Sequence, residues 1–134
     1  MRDDQCFLFD IPDHPENDGR LIVVEAGREI PFDVRRIFWV RDTTEGAERG
    51  QHANKETRLV LIAVSGSLDV EVSDDKDSQT YHLDSPTKGL YIDAMLWRTM
   101  KNFSKGAIVT ALCDRPYSPG NETYEDHDEY LRNL

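Results

Sequence analysis

Leu59-Val60-Leu61-Ile62-Ala63-Val64-Ser65-Gly66-Ser67-Leu68-Asp69-Val70-Glu71-Val72 decides the fold. Its first six residues form an unbroken apolar run, the pattern of a strand buried on both faces. Ser65-Gly66-Ser67 punctuates the run as a tight turn. Leu68 to Val72 then alternates apolar and polar, which suits a strand with one face in a core. The expectation is a β-hairpin whose two strands pair through the Gly66 turn.

On the C-terminal side the same grammar repeats. Asp74-Asp75-Lys76-Asp77 reads as a solvated hairpin tip. Residues 79–83 return with Tyr81 and Leu83 on one face and Thr80 and His82 on the other. Short strands follow at 90–92, 96–103 and 107–113, separated by turns at 84–89, 93–95 and 104–106. Asp114 to Thr123 is a Pro/Gly-rich loop, and Glu122 to Glu129 reads as a solvated face. Residues 124–134 carry Tyr124, Tyr130 and Leu131 at helical spacing and predict a short terminal helix.

On the N-terminal side, residues 34–40 form a strong strand by β-branched and aromatic content, and 41–50 a polar loop. His52 to Arg58 leads into the central strand. Residues 20–25 are β-rich, 30–32 an extended bridge, and 13–19 a turn. Residues 5–12 read as an edge strand ending at Pro12. About nine short strands and a single helix at the end predict an all-β sandwich or barrel in one domain spanning 1–134.

The chain has 134 residues and a net charge of −10, which argues against nucleic acid or an anionic membrane as partner. Clustered arginines still permit a small anionic ligand. Its two cysteines, Cys6 and Cys113, make no disulfide framework or zinc spacing, so free thiols in a cytoplasmic protein are expected. No apolar run is long enough to span a membrane. Phosphate-binding glycine loops, a nucleophile elbow, and His-x-x-x-His or Cys-x-x-Cys pairs are all missing.

Chemistry concentrates in Gly46-Ala-Glu-Arg49-Gly-Gln-His52-Ala-Asn54-Lys55, which holds the one histidine set among closely spaced Arg, Lys and Asn. His14, His82 and His127 read as exposed. The spacing Gly46, His52, Asn54, Gly66 follows the first cupin motif, and Trp97-Arg98 through Asn102 follows the second. In metal-binding cupins these motifs carry His-x-His with a Glu, and then a further His. Here Asn54 and Arg98 stand at two of those positions, with Arg58 and Leu59 where the Glu belongs. A guanidinium repels a metal ion, so the expectation is a metal-free, cofactor-free jelly roll (double-stranded β-helix) with a positively lined cavity.

A longer string is more specific. It comprises Ile30-Pro31-Phe32, Val34, Arg36-Ile-Phe-Trp39, Arg49-Gly50, His52-Ala53, Val64-Ser-Gly-Ser67, Leu83-Asp-Ser-Pro86, Gly89-Leu-Tyr91, Trp97 and Asn102-Phe-Ser104. From about Gly19 to Leu134 the chain resembles the sugar 3,4-ketoisomerases, which act on dTDP-4-keto-6-deoxyglucose. The resemblance implies a metal-free cupin and a homodimer in which residues 1–12 form an exchanged strand. It also implies a dTDP-linked deoxyhexose substrate and a product used in polysaccharide amino-sugar synthesis. Moving a ketone from C4 to C3 needs a base at C3, an enediol, and a proton returned at C4. A neutral imidazole suits this work, so His52 is the expected acid/base. Arg98 and Arg20 are expected to stabilise the enediolate or orient the hexose. Arg36, Arg49 and Lys55 are expected at the pyrophosphate, and Tyr91 or Trp97 against thymine or sugar. The family pattern His-Ala-His reads His52-Ala53-Asn54 here. Asn54 either hydrogen-bonds a hydroxyl or orients His52. Alternatively, its presence makes this an impaired or non-catalytic sugar-nucleotide-binding cupin.

Overall fold

The computed structural model describes all residues from Met1 to Leu134. Twelve strands and one helix follow in chain order. The strands are β1 (Cys6–Asp10), β2 (Asp13–Glu16), β3 (Gly19–Ile22), β4 (Arg36–Arg41), β5 (Arg49–Asn54) and β6 (Leu59–Ser65). They continue as β7 (Leu68–Ser73), β8 (Ser78–Leu83), β9 (Lys88–Ile92), β10 (Trp97–Lys101), β11 (Ile108–Cys113) and β12 (Thr123–Tyr124), before helix α1 (His127–Arg132). Two five-stranded antiparallel sheets, ordered β1-β9-β6-β11-β4 and β12-β5-β10-β7-β8, pack face to face, and β2-β3 forms a separate hairpin. This is the expected jelly-roll sandwich.

The decisive stretch folds differently from its expected hairpin. β6 and β7 are each stranded as expected but do not pair; they belong to opposite sheets. Gly66 carries the crossing at φ +67, and a Cβ there would meet Ser104 Oγ at 2.5 Å. Ser104 Oγ accepts the Ser67 N–H at 2.8 Å, so it cannot yield freely. Period alone distinguishes strand from helix, but it cannot say which sheet a strand joins. The unbroken apolar run of β6 has a direct cause. Leu59, Leu61 and Ala63 enter the core between the sheets with Val70, Val72 and Leu90. Val60 and Ile62 face outward and are covered by Ile11, Ile30 and Phe32.

Other expectations shift at their edges. Residues 13–16, expected as turn, form β2; the turn shrinks to Asn17-Asp18, with Asp18 at φ 63. Pro15 is tolerated because this isolated hairpin asks little of its missing N–H. The strand expected over 20–25 ends at Ile22, and Arg49 to Asn54 is a strand in its own right. Tyr124 lies in β12, and the helix begins only after Asp126, whose side chain accepts the Glu129 N–H as an N-cap. The β7–β8 hairpin pairs as expected from Leu68↔Leu83 to Ser73↔Ser78. Within the single chain β1 is seated on β9, from Cys6↔Ile92 to Asp10↔Lys88.

Candidate active site

β5 and β10 are neighbours, and their register sets Arg98 opposite His52. Alternation sends both side chains inward, where a cavity of about 560 Å³ opens between the sheets. Phe38, Val40, Leu59 and Met100 give it an apolar floor, and Arg36, Arg49, His52, Asn54 and Arg98 line it. The pairing of β5 with β10 slips between Arg98 and Met100. Gly50, at φ +67, supplies the left-handed residue such a bulge needs. The slip changes the phase of the strand, so Arg49 reaches the same cavity as His52 three residues away.

Arg98 Nη2 donates to His52 Nε2 at 2.9 Å. A guanidinium has no acceptor, so Nε2 carries the lone pair and the imidazole proton resides on Nδ1. Burial, reinforced by the Arg98 charge and opposed by Glu125, pushes the His52 pKa down to about 4. His52 is therefore neutral at physiological pH. Arg98 is only 4% exposed, and its Nε has no partner. Burial pushes its own pKa down to about 10, leaving it charged. No carboxylate forms an ion pair with it; Arg36, by contrast, binds Glu122 at 2.7 Å. A buried, uncompensated cation costs several kcal/mol unless an oxyanion arrives to share it. Asn54 is also buried, 4% exposed, and turns an amide unpartnered within the chain toward the cavity.

The site thus gathers His52, Asn54, Arg98, Arg36 and Arg49. Four other residues expected to contact substrate lie elsewhere. Arg20 is on the β2–β3 hairpin, bonded to Asp13 at 2.8 Å. Lys55 borders an adjoining cavity, where it donates to Asn121 at 3.0 Å and stands over the Tyr124 ring. Tyr91 faces outward from β9, in the cluster beneath Phe32. Trp97, one residue from Arg98, points to the opposite face and packs on His127 and Tyr130. The alternation that puts Arg98 inside puts Trp97 outside.

The cavity's cover was not legible from residue types. The loop after β11 folds back over the mouth, bringing Tyr117, Ser118, Asn121 and Glu122, and β12 follows with Thr123. β12 pairs with the end of β5, Thr123↔Asn54 and Tyr124↔Ala53, which ties this cover to the site. Glu122 and Glu125, expected on a solvated face, line the cavity instead, so its charge is mixed rather than uniformly positive. The only signal was a long Pro/Gly-rich loop after the last core strand, the kind of segment that carries function in β-sandwiches. No cluster of three His, Cys, Asp or Glu side chains able to hold a metal ion occurs anywhere in the chain.

The chain is similar in sequence and fold to known proteins. The chain is 32% identical over 114 residues to the TDP-4-oxo-6-deoxy-α-D-glucose-3,4-oxoisomerase of Aneurinibacillus thermoaerophilus, covering 85% of this chain and 76% of that one. The TDP-quinovose 3,4-ketoisomerase WlaRB of Campylobacter jejuni is 38% identical, with a TM-score of 0.90 over 96% of this chain and 98% of that one. A histidine-to-asparagine variant of the 3,4-ketoisomerase QdtA of Thermoanaerobacterium thermosaccharolyticum, in complex with TDP-4-keto-6-deoxyglucose, is 26% identical. Its TM-score is 0.92 over 96% of this chain and 93% of that one. The family model described as FdtA, WxcM-like, C-terminal, matches residues 4–134. The chain belongs to that FdtA family, among the sugar 3,4-ketoisomerases its sequence resembles.

Proposed function

We propose that the chain moves the keto group of a dTDP-4-keto-6-deoxyhexose from C4 to C3, with His52 as the base. One observation carries this: a buried guanidinium without a carboxylate partner, Arg98, bonded to a neutral imidazole inside the cavity between the sheets. Abstraction of the C3 proton throws negative charge onto the C4 oxygen, and a desolvated cation is the group best able to hold it. Arg98 turns from Nε2 of His52 to that oxygen as the sugar enters, which frees the lone pair for the C3 proton. The same imidazole returns a proton at C4 as the enediol collapses to the 3-ketone. Asn54, with an unspent amide, hydrogen-bonds a sugar hydroxyl. Arg36 and Arg49, at the cavity wall, take the pyrophosphate.

The active species is a homodimer. Ile37 and Trp39 stand 48% and 62% exposed on the outer face of the edge strand β4, an apolar surface suited to a second copy. Residues 1–12 are the segment expected to exchange between copies. A nucleotide-linked substrate and two free thiols fit the cytoplasm. A ketone at C3 is the group an aminotransferase consumes, which fits amino-sugar synthesis for polysaccharide. The reading is tested by incubating the protein with dTDP-4-keto-6-deoxyglucose and following the sugar by NMR. Conversion to the 3-keto sugar, lost in His52→Gln, is expected. Conversion that survives His52→Gln would remove His52 from its role.

A further inference from the structure

An isomerisation of this kind moves two protons. One passes from C3 to C4, and the other from the 3-hydroxyl to the oxygen at C4. His52 accounts for the carbon-bound proton. Asn54, where a second imidazole would stand, cannot accept or release a proton at neutral pH. The remaining proton needs a carrier.

We propose that Glu125 is that carrier: its carboxylate accepts the 3-hydroxyl proton and delivers it to the oxygen at C4, in place of the imidazole absent at Asn54. The assignment rests on the isomerase reading above. Three observations support it. β12 pairs with β5 as Thr123↔Asn54 and Tyr124↔Ala53, so continuing the register by one residue sets Glu125 opposite His52. Asn54, Thr123, Glu125, His52 and Arg98 all line the one cavity. Thr123 Oγ1 donates to Glu125 Oε1 at 2.7 Å, which orients the carboxylate and leaves Oε2 open. The Glu125 charge also acts on both His52 and Arg98, raising the pKa of each against the larger effect of burial.

The proton balance closes without a further reactant. The C3–H and O3–H bonds break and the C4–H and O4–H bonds form, with His52 and Glu125 each returned to its starting state. Glu125 is exposed at the cavity rim and serves no ion pair, so its replacement leaves the fold in place.

The test is Glu125→Gln, alone and combined with Asn54→His. Glu125→Gln should lower kcat by about a hundredfold, the usual worth of a positioned acid/base, with TDP affinity unchanged by calorimetry. In deuterium oxide it should still exchange the C3 proton, because His52 is intact. Adding Asn54→His should restore at least about tenfold of the lost rate, because an imidazole can then carry the hydroxyl proton. Full turnover by Glu125→Gln would overturn the proposal. So would loss of TDP binding, loss of C3 exchange, or failure of Asn54→His to rescue. If the unaltered chain converts the 4-keto sugar while Glu125→Gln matches it, only the role of Glu125 falls; if the unaltered chain does not convert it, the isomerase reading falls as well.

Discussion

Arg98 and His52 share a hydrogen bond of 2.9 Å in which the guanidinium donates to the imidazole lone pair. Burial keeps the base neutral, the Arg98 charge reinforces it, and the contact occupies the lone pair. Substitution of Arg98 by Met should therefore move two quantities in opposite directions. The His52 pKa should rise from about 4 toward 6.5, stopping short because burial is the larger cause of its depression. Turnover should fall by about 100- to 1,000-fold, as when a donor to a developing oxyanion is removed. Titration of His52 by NMR and steady-state kinetics would check both.

The depressed pKa also sets pH limits. The working base is the neutral form, so the acid limb of kcat/KM should fall near pH 4 rather than near 6.5. Stability follows the same window. Between 6.5 and about 4 the unfolded chain binds a proton that folded His52 refuses, so the folded state loses ground as pH falls. Above 6.5 the imidazole is neutral in both states and contributes nothing. Urea midpoints should decline through this range, and His52→Gln should decline less.

Arg36 and Arg49 are proposed to take the pyrophosphate, and Arg36 is bound to Glu122 at 2.7 Å. Arg36→Met should weaken TDP binding by about tenfold, the loss of one charge-assisted contact. Glu122→Gln should tighten it, because the carboxylate competes with phosphate for the same guanidinium. Calorimetric titration with TDP would measure both.

The fold was legible wherever one residue determines its own environment. The buried run of β6, the alternation of β7 and β8, and the turn residues at 74–77 all sit as their chemistry dictates. His52 and Arg98 were legible for the same reason, since alternation along β5 and β10 decides which side they face, whereas Arg49 reaches the cavity only through the slip in that pairing. Sheet membership was not, because Gly66 permits a hairpin and a crossover equally until Ser104 and Ala107 close on it. The cover over the site was hidden too. Glu122 and Glu125 have the composition of a solvated face, and only the long-range pairing of Thr123 with Asn54 turns them inward.

That crossover and that pairing are themselves open to mutation. Gly66→Ala forces a Cβ at φ +67 into Ser104 and Ala107, and should cost about 2 kcal/mol or more in urea unfolding. Tyr130 is fully buried, and its hydroxyl donates to the Met95 carbonyl at 2.9 Å, anchoring the helix that follows β12. Tyr130→Phe should cost about 1 kcal/mol. Tyr130→Ala should also lower turnover, since β12 and Glu125 lose their anchor while His52 and Arg98 stay in place.

The central claim is that His52 exchanges a carbon-bound proton of a 4-keto sugar held beside Arg98. Incubation of the protein with dTDP-4-keto-6-deoxyglucose in deuterium oxide, read by NMR, measures this directly. The account predicts a 3-keto product, carbon-bound deuterium at C4 of that product or at C3 of recovered substrate, and loss of both in His52→Gln. Sugar that binds but is recovered unchanged, with no carbon-bound deuterium, would contradict it.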